Sequence, residues 1–415
     1  MSELPLNTFD FDVIILGGGA AGFFSAINLA ELKPGLRILI LEAAKDTLNK
    51  VRISGGGRCN VTHACFDPEV LVNYYPRGFK ELLGPFYFFG PAQCIEWFEK
   101  YGVALKTEAD GRMFPVSNTS LTILECFYKL IYKHHIEVRC STRVTNFYFD
   151  LDSNRWIVSA NTQQLNCSKL IVTTGSDARC WELLKNLGHD IIAPVPSLFT
   201  FNVVDKKIKE LMGVSFSNVK LQIVGTNLES TGPMLITHWG FSGPAILKLS
   251  AWGARLLAEK KYTFEMIINW LNFSEEDIKS CILDCKNNKP KKKIVSQSIL
   301  QLPIRLWQYL MERAGISVDL IWNQISGNQI KDLVKVLSSS KFSIQGKSTF
   351  KEEFVTAGGV DLKNINFKTF ESKKCAGLYL AGEVLNIDAV TGGFNFQSAW
   401  TGAYMIADQI AKSDL

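Results

Sequence analysis

A chain of 415 residues exceeds the size of one ordinary compact domain, so two or three domains are expected. Its 47% hydrophobic and 20% charged residues are typical of a folded globular protein, and a net charge of +5 is too small to require nucleic acid or an acidic membrane as a partner. Ten cysteines without a paired spacing indicate free thiols in a reducing compartment, and the nearest pair, Cys281 and Cys285, lacks the further ligands that a metal site needs.

The first long element is an uncharged stretch from Val13 to Ala30. Its 18 residues (30 − 13 + 1) approach the length of a membrane span, but four glycines interrupt it, and Asp10 and Asp12 precede it. The basic residues of a signal peptide are missing from the N-terminus. We therefore expect a buried strand followed by a buried helix, no membrane span, and a cytoplasmic protein.

A dinucleotide-binding fingerprint occupies this stretch. The apolar run Asp12–Leu16 enters Gly17-Gly-Gly19-Ala-Ala-Gly22, a helix follows, and a second apolar run, Arg37–Leu41, ends on Glu42. In such a βαβ unit the first glycine permits a tight turn, the second lets the backbone approach a pyrophosphate, and the third allows close packing of helix on strand. The helix N-terminus holds the phosphates, and the acid accepts hydrogen bonds from an adenosine ribose. The pattern predicts a bound dinucleotide.

Strand and helix patterns alternate as far as residue 193 and then change. Val138–Val144, Trp156–Ala160 and Lys169–Val172 are predicted strands, and the last leads into Thr174-Gly175. Two prolines within residues 194–201 indicate a crossing into another domain. Short strands within residues 219–270 then predict a small antiparallel sheet or barrel.

From Ser274 to about Ser340 the pattern becomes helical, with Ile and Leu at spacings of three and four. Ser274 is a predicted N-cap, because three acidic residues follow it in the first turn. Five lysines surround Pro290 between two of these helices: Lys286, Lys289, Lys291, Lys292 and Lys293. We interpret this cluster as a solvated loop, with an RNA or phosphate patch as the alternative.

Glycine-rich segments return near the C-terminus. Gly377–Ala381 is a predicted strand that enters Gly382-Glu383, and Thr391-Gly392-Gly393 precedes a helix of small residues. Together with Lys50–Asn60 and Thr174-Gly175, these segments offer more close backbone approaches than NAD needs, so they favour the longer cofactor FAD. The Gly-acid pair after a strand resembles the element that meets the ribityl chain in large flavoprotein families. The positive end of the last helix would face the flavin N1–C2=O edge, where negative charge develops on reduction.

The segment Ser54-Gly-Gly-Gly-Arg-Cys-Asn60-Val-Thr62 resembles the hallmark of the BaiN/YhiN-type FAD-dependent oxidoreductases. Further segments are similar to later signatures of that family: Asp110–Ser117, Thr237–Pro244, Val355–Val360 and Gly377–Leu385 through Asn395. The resemblance extends from about residue 12 to residue 405. It implies an α/β fold in which a Rossmann-like FAD-binding domain of the glutathione-reductase type is interrupted by a β-barrel with a nested helical subdomain. The expected boundaries are 10–193 with 351–415 for the FAD domain, 194–272 with 340–350 for the barrel, and 273–339 for the helical subdomain.

The fingerprint and these matches together predict the residues that bind the cofactor. They are Gly17, Gly19, Ala20, Ala21, Gly22, Glu42, Ala43, Ser54, Gly56, Gly57, Arg58, Cys59, Asn60, Val144, Thr174, Gly175, Gly382, Glu383, Gly392, Gly393, Phe394 and Asn395. Among them, Arg58 could offset the charge of the pyrophosphate or of a substrate. No metal ligands are expected.

The chain departs from the family pattern at four places. The family usually has Asn at His63, Asp at Asn386 and Tyr at Phe394. After Thr174-Gly175 it has a second Gly and a longer loop, which is shortened here. If that loop shapes the substrate entrance, the substrate or the activity of this protein differs from that of its relatives.

No catalytic residue is fixed by the sequence, and three side chains are candidates. Cys59 is either a redox thiol or part of the cofactor packing, and the absence of a neighbouring resolving cysteine favours packing. His63 follows the cofactor segment and either faces the flavin or is structural. His238 is either a general acid or substrate contact, or a structural histidine.

The sequence therefore predicts an oxidoreductase with noncovalent FAD that transfers two electrons to or from a small organic substrate. Only one nucleotide fingerprint is present, so any NAD(P)H that served as the donor would have to bind transiently elsewhere; the electron donor stays open. One alternative is a flavin-dependent tRNA-modifying enzyme, for which the lysine cluster is the support, although nucleic acid is not the expected partner. The other is a non-catalytic FAD-bound sensor, suggested by the shortened loop and by Asn386. Substrate and oligomeric state stay open.

Overall fold

The computed structural model describes residues 10–296, 298–299, 302–348 and 355–413. The chain divides into two compact units: Met1–Val195 with Lys351–Leu415, and Pro196–Phe350. We call the first the Rossmann unit and the second the barrel unit. The predicted boundaries, with a helical subdomain as an additional division, stay a prediction.

The N-terminal part of the Rossmann unit begins with the βαβ fingerprint and ends with a strand that leads into the barrel unit. Its elements are β1 Phe11–Leu16, α1 Ala20–Leu32, β2 Ile38–Leu41, α2 Asn49–Gly57, β3 Thr62–His63, α3 Pro68–Leu71, α4 Phe79–Phe88, α5 Pro91–Lys100, β4 Leu105–Thr107, β5 Arg112–Pro115, α6 Leu121–Lys133, β6 Glu137–Arg139, β7 Val144–Asp150, β8 Arg155–Ala160, β9 Gln163–Val172, α7 Ala178–Asn186 and β10 Ile191–Ser197.

The barrel unit and the C-terminal part of the Rossmann unit follow. The barrel unit contains β11 Thr200–Val203, α8 Lys206–Lys209, β12 Ser215–Ile223, β13 Glu229–Ile236, β14 Gly240–Ser242, α9 Pro244–Trp252, α10 Ala254–Glu259, β15 Thr263–Asn269, α11 Glu275–Asn288, α12 Ile304–Arg313, α13 Gly327–Ser338 and β16 Ser340–Ser348. The chain then returns to the Rossmann unit with β17 Val355–Val360, β18 Ile365–Asn366, β19 Glu371–Ser372, β20 Leu378–Leu380 and α14 Phe394–Lys412.

The core of the Rossmann unit is a parallel sheet in the order β20-β9-β1-β2-β6. β1 and β2 are almost wholly apolar and buried, as expected for parallel strands that are covered on both faces. The helix α1 is buried along most of its length, which explains why the stretch Val13–Ala30 carries no charge. Within the described residues, no helix is long and apolar enough to cross a membrane.

The prediction of one continuous strand over Val138–Val144 is wrong. β6 ends at Arg139, and β7 begins at Val144 after a turn in which Ser141 has a positive φ of 50°. The backbone N–H of Ser141 donates to Ala44 O, and that of Thr142 donates to Glu42 O. These bonds hold the turn at the end of β2, so β7 leaves the parallel sheet and pairs antiparallel with β8.

The barrel unit contains, in its described part, a closed antiparallel barrel in the order β11-β14-β13-β12-β15-β16. Alternating residues of β12 are buried, as a strand with one face toward a core requires. Ser274 caps α11 by accepting a hydrogen bond from Asp277 N at 3.1 Å, which confirms the predicted helix start. The prediction of a Rossmann-like α/β domain interrupted by a β-barrel is confirmed.

Candidate cofactor-binding site

Several predicted cofactor segments begin where neighbouring parallel strands end. The register aligns Leu16 of β1 with Leu41 of β2 and with Val172 of β9, which is in turn aligned with Leu380 of β20. The segments that follow these residues leave the sheet at one edge, and they carry Gly17, Glu42, Thr174-Gly175 and Gly382-Glu383. Four parallel strands about 4.8 Å apart give a row roughly 14 Å long. This edge is where open α/β sheets bind their ligands, and its length suits an extended dinucleotide.

The three fingerprint glycines have different surroundings. Gly17 has a φ of +103°, and a Cβ there would lie 2.6 Å from Thr173 O. A Cβ on Gly22 would lie 2.0 Å from Gly17 O, so α1 and the turn pack too closely for any side chain. Gly19 has no heavy atom within 4 Å of its Cβ position, so this position faces open space at the start of α1. The first turn of α1, with Ala20 and Ala21, contains no acidic residue that would neutralise its positive end.

Glu42 is fixed by two backbone amides. Its Oε2 accepts from Gly18 N and its Oε1 from Ala44 N, each at 2.7 Å. A carboxylate has about four acceptor positions, so two remain for other donors. Ala43 follows Glu42 in the same turn. Thr142 N donates to Glu42 O, and Val144, two residues later, is the first residue of β7.

Glu383 joins three segments at the other end of the row. Its Oε1 accepts from Thr356 N at 2.9 Å, and its Oε2 forms an ion pair with Lys50 of α2. A Cβ on Gly175 would lie 3.9 Å from Glu383 Oε2, and one on Gly382 would lie 3.4 Å from Ala21 Cβ. The Gly-acid pair, the end of β9 and the first turn of α1 are therefore neighbours.

The Ser-Gly-Gly-Gly segment forms an irregular turn at the end of α2. Ser54 has an extended ψ of 151°, and Gly55 and Gly56 have positive φ values of 58° and 68°. Neither Gly56 nor Gly57 has a heavy atom within 4 Å of its Cβ position. These two glycines, like Gly19, therefore leave room for a ligand to approach the backbone.

Asn60 connects this turn to the start of α14. In the amide orientation that satisfies all its partners, its oxygen accepts from Gly393 N at 2.9 Å and its nitrogen donates to Thr62 O and Met113 O. A Cβ on Gly393 would lie 2.5 Å from Thr62 O, so only glycine fits there. Gly392 has a φ of +138°, and its Cβ position is close to the Phe394 ring.

Phe394 and Asn395 shape the N-terminus of α14 through internal contacts. The Phe394 ring is buried and stacks on Tyr74 at 4.2 Å and on His63 at 4.6 Å between centroids. Asn395 both donates to and accepts from the backbone of Ala389. Both side chains therefore fix the loop before α14, and their role in a cofactor site stays a prediction.

Arg58 has an internal partner that the sequence did not indicate. Its Nη1 lies 2.6 Å from Glu108 Oε1, and its guanidinium carbon lies 3.9 Å from the centre of the Phe114 ring. Arg112 pairs with the same Glu108 at 3.0 Å. Both positive charges are thus already balanced in part, which weakens the expectation that Arg58 neutralises a pyrophosphate.

Cys59 is fully buried, with a φ of +60°. Burial raises the pKa of its thiol to about 12, and a hydrogen bond with Ser54 opposes this rise. The thiol is therefore protonated at neutral pH, whereas redox and nucleophilic chemistry need the thiolate. The environment supports the packing interpretation of Cys59.

The two histidine candidates lie in different units. His63 lies in the Rossmann unit, where its Nε2 is 3.1 Å from Asp110 O, and its buried Nδ1 has no hydrogen-bond partner among the described residues. Desolvation lowers the pKa of His63, so the ring is neutral at pH 7. His238 is exposed in the loop between β13 and β14 of the barrel unit and contacts Trp239.

Two contacts near the site escaped the sequence analysis. Asp388 is completely buried and forms an ion pair with Arg77, and Tyr75 Oη donates to Phe394 O at 2.6 Å. Both join the segment before α4 to the loop before α14. The partners are more than 300 residues apart in sequence, so no local sequence pattern predicts these pairs. In the part of the chain that the structure describes, no cluster of three or more His, Cys, Asp or Glu could hold a metal ion.

Similarity to known proteins agrees with this architecture. The chain is 29% identical to the ribosomal RNA dihydrouridine synthase of Haemophilus influenzae over 96% of this chain and 98% of that protein. It is 26% identical to the 3-dehydro-bile acid delta(4,6)-reductase of Clostridium scindens, over 96% and 98%. The crystal structure of the 3-ketosteroid-delta4-(5alpha)-dehydrogenase of Rhodococcus jostii RHA1 shares the fold, with a TM-score of 0.53, 13% identity and 99% coverage of both chains.

A Rossmann-type FAD-binding fold with a glycine cradle at the carboxyl edge of its sheet defines the class of protein as an FAD-dependent oxidoreductase. The chain belongs to the HI0933-like family, whose Rossmann-domain model matches residues 11–409. The resemblance seen in Ser54–Thr62 is thereby confirmed.

Proposed function

We propose that this protein is an FAD-dependent reductase that saturates a carbon–carbon double bond conjugated to a carbonyl group. The observation that carries the proposal is the row of Gly17, Glu42, Gly175 and Gly382 along one sheet edge. The names of the two relatives support the reaction type, because a dihydrouridine synthase and a delta(4,6)-reductase both reduce such a bond.

The residues present fit FAD. Gly19 and the N-terminus of α1 would hold the pyrophosphate, since the Cβ position of Gly19 is open and no acid opposes the helix dipole. Glu42 would accept from the adenosine ribose with its two remaining acceptor positions. Gly382 and Glu383 would contact the ribityl chain, and the backbone near Gly393 would face the flavin edge.

When bound, FAD supplies hydride transfer, and the protein supplies position and electrostatics. The N-terminus of α14 would offer a positive dipole end to the negative charge that develops on a reduced flavin. Asn60 and Phe394 keep that helix start rigid. NADH or NADPH is the proposed electron donor, and it would bind transiently, because the sequence has a single nucleotide fingerprint.

We propose uridine in ribosomal RNA as the substrate class. The relative from Haemophilus influenzae supports this choice, since it aligns over nearly the full length of both chains. The uracil ring contains the required double bond conjugated to a carbonyl. The sequence did not favour nucleic acid, because the net charge is only +5, but local charge rather than net charge decides such binding. A small cyclic enone is the second candidate, supported by the bile acid reductase.

The first experiment is anaerobic reduction of the purified protein. A flavin spectrum that bleaches with NADH or NADPH supports the reductase, and the reduced protein is then mixed with unmodified ribosomal RNA or with a dienone steroid. Mass spectrometry of the digested RNA would detect dihydrouridine by its gain of two hydrogens. Protein that holds no flavin after reconstitution would refute the FAD assignment. Flavin that no nicotinamide reduces would favour the sensor alternative.

A further inference from the structure

A basic cleft lies on the Rossmann unit, between α4 and the segment 362–373 that contains β18 and β19. Four lysines and one acid line it: Lys80, Lys363, Lys368, Lys373 and Glu81. Its formal charge is therefore +3 (4 − 1). In a protein whose net charge is +5, this is a strong local concentration of positive charge.

The charges of these four lysines are available to a ligand. All four are exposed, and none forms an ion pair with a carboxylate of the described residues. Within the described part of the chain, the Lys373 ammonium alone among them has a hydrogen-bond acceptor, the backbone oxygen of Lys363 at 3.1 Å. Elsewhere in the chain, Lys50 and Lys293 have acidic partners. Like charges in one cleft repel each other, so the arrangement favours an anionic ligand.

Exposed aromatic rings lie on the same helix. Phe79, Tyr87 and Phe88 of α4 expose 45%, 61% and 48% of their surface, far more than aromatic rings that pack in a core. Half-buried Phe367 lines the cleft itself. Phe367 is thus the ring that lies among the cleft lysines, and the rings of α4 extend the surface beyond them. Lysines beside aromatic rings are a combination with which proteins bind single-stranded nucleic acid, since the ammonium groups contact phosphates and the rings stack on bases.

The start of α4, which carries this surface, packs against the loop that leads into the predicted flavin end of the cofactor site. The Cβ position of Gly78, just before α4, is 2.8 Å from Ile387 Cγ1, and Arg77 pairs with Asp388. Val390 N donates to Tyr74 O at 3.0 Å. The loop containing these partners continues into Gly392 and Gly393. RNA bound along α4 would therefore run beside the end of the site where the flavin is proposed to lie.

We propose that this cleft binds the phosphodiester backbone of a single-stranded segment of the RNA substrate. This inference rests on the proposed function and adds the surface that recognises the substrate. Lys363, Lys368 and Lys373 would each contact phosphate as a point charge, without reading sequence. Selection of the modified uridine would then depend on the cofactor site.

The test compares two charge-reversed triple variants. One carries Lys363→Glu, Lys368→Glu and Lys373→Glu in the cleft. The matched control carries Lys289→Glu, Lys291→Glu and Lys292→Glu in the lysine-rich loop of the barrel unit, with the same change of net charge. The affinity of the full-length, FAD-loaded protein for a fluorescent ribosomal RNA fragment is measured between 50 and 200 mM salt, a range in which phosphate contacts dominate the change.

The cleft variant should lose at least about tenfold in affinity, and the slope of log K against log salt should fall by about 2, since each single-strand phosphate contact contributes about 0.7. The control should change neither. Bleaching of the flavin by the nicotinamide donor should be the same in all three proteins, which shows that the variants are folded. If the glutamate variant loses its flavin, the triple lysine-to-glutamine variant replaces it.

The outcomes separate the inference from the proposed function. Wild-type protein that neither binds RNA nor forms dihydrouridine would overturn both the RNA substrate and the cleft. Wild-type protein that binds RNA while the cleft variant keeps the same affinity and salt slope would overturn the cleft alone. Equal losses in the cleft variant and the control would also overturn it, because the effect would then come from net charge. A loss confined to the control would assign binding to the barrel-unit lysines instead.

Discussion

The contrast between Gly19 and Gly22 gives the sharpest prediction about the cofactor site. A Cβ at Gly19 would have no heavy atom within 4 Å, whereas a Cβ at Gly22 would lie 2.0 Å from Gly17 O and 2.9 Å from Thr173 Oγ1. Gly19→Val should therefore leave the fold intact but fill the space that the pyrophosphate needs. Gly22→Ala should instead force α1 away from the turn.

The expected sizes of these effects differ. Gly19 is the N-cap of α1 with an extended backbone, so valine there costs about 1 kcal/mol of stability through the poorer cap. Loss of one charge-assisted contact with the pyrophosphate costs about 1.5–3 kcal/mol of FAD binding, which is roughly 10- to 150-fold in affinity. Overpacking at Gly22 costs about 3 kcal/mol of stability or more, whether or not FAD is present.

The assay is the melting temperature of each variant without and with added FAD, together with the bound flavin measured by absorbance. Gly19→Val should melt close to the wild-type apoprotein and gain little from FAD, whereas Gly22→Ala should melt lower in both conditions. Full flavin occupancy in Gly19→Val would refute the placement of the pyrophosphate at this turn.

Three further predictions concern single side chains. Glu42→Ala should weaken FAD binding by about 1–3 kcal/mol, because a buried ribose hydroxyl would lose its acceptor; unchanged affinity in a flavin titration would exclude Glu42 as the ribose ligand. Cys59→Ser should leave turnover unchanged between pH 6 and 9, because the pKa of the thiol is about 12; a tenfold loss in folded, flavin-loaded protein would argue for a redox thiol. Burial lowers the pKa of His189, so the unfolded chain takes up a proton first as the pH falls below about 6.5 and stability decreases. Between pH 7 and pH 5, the melting temperature of His189→Gln should therefore fall less than that of the wild type. An equal fall in both proteins would contradict this.

The parallel core could be predicted because its signal is local. β1 and β2 are short apolar runs, each followed at once by the residue that identifies the motif, Gly17 or Glu42. The glycines Gly17, Gly22 and Gly393 could be predicted for the same reason. Each lies so close to another part of the backbone that only glycine fits. The break between β6 and β7 was missed because backbone hydrogen bonds to Ala44 and Glu42 cause it, and these bonds leave no side-chain pattern.

The partners of the site residues could not be predicted. Glu383 pairs with Lys50, and Arg58 pairs with Glu108, and only the folded chain brings these partners together. From the sequence alone, a basic residue in a glycine-rich segment suggests that it binds an anionic ligand. In the folded chain, the partner of each of these basic residues is an acidic side chain. The basic cleft was hidden for a related reason, because Lys80 is far in sequence from the other three lysines.

The order of the elements along the chain has a consequence for biosynthesis. Gly17 and Glu42 are made first, but β20, Gly382 and Gly393 emerge only after the whole barrel unit, 155 residues long (350 − 196 + 1). At about 10 residues per second, the ribosome takes roughly 15 s to traverse that unit. During this interval the nascent chain has the segments proposed for the adenosine without those proposed for the ribityl and flavin. Stable retention of FAD would then require synthesis of β20 and the start of α14, and a ribosome stalled within the barrel unit would display a chain that releases the cofactor.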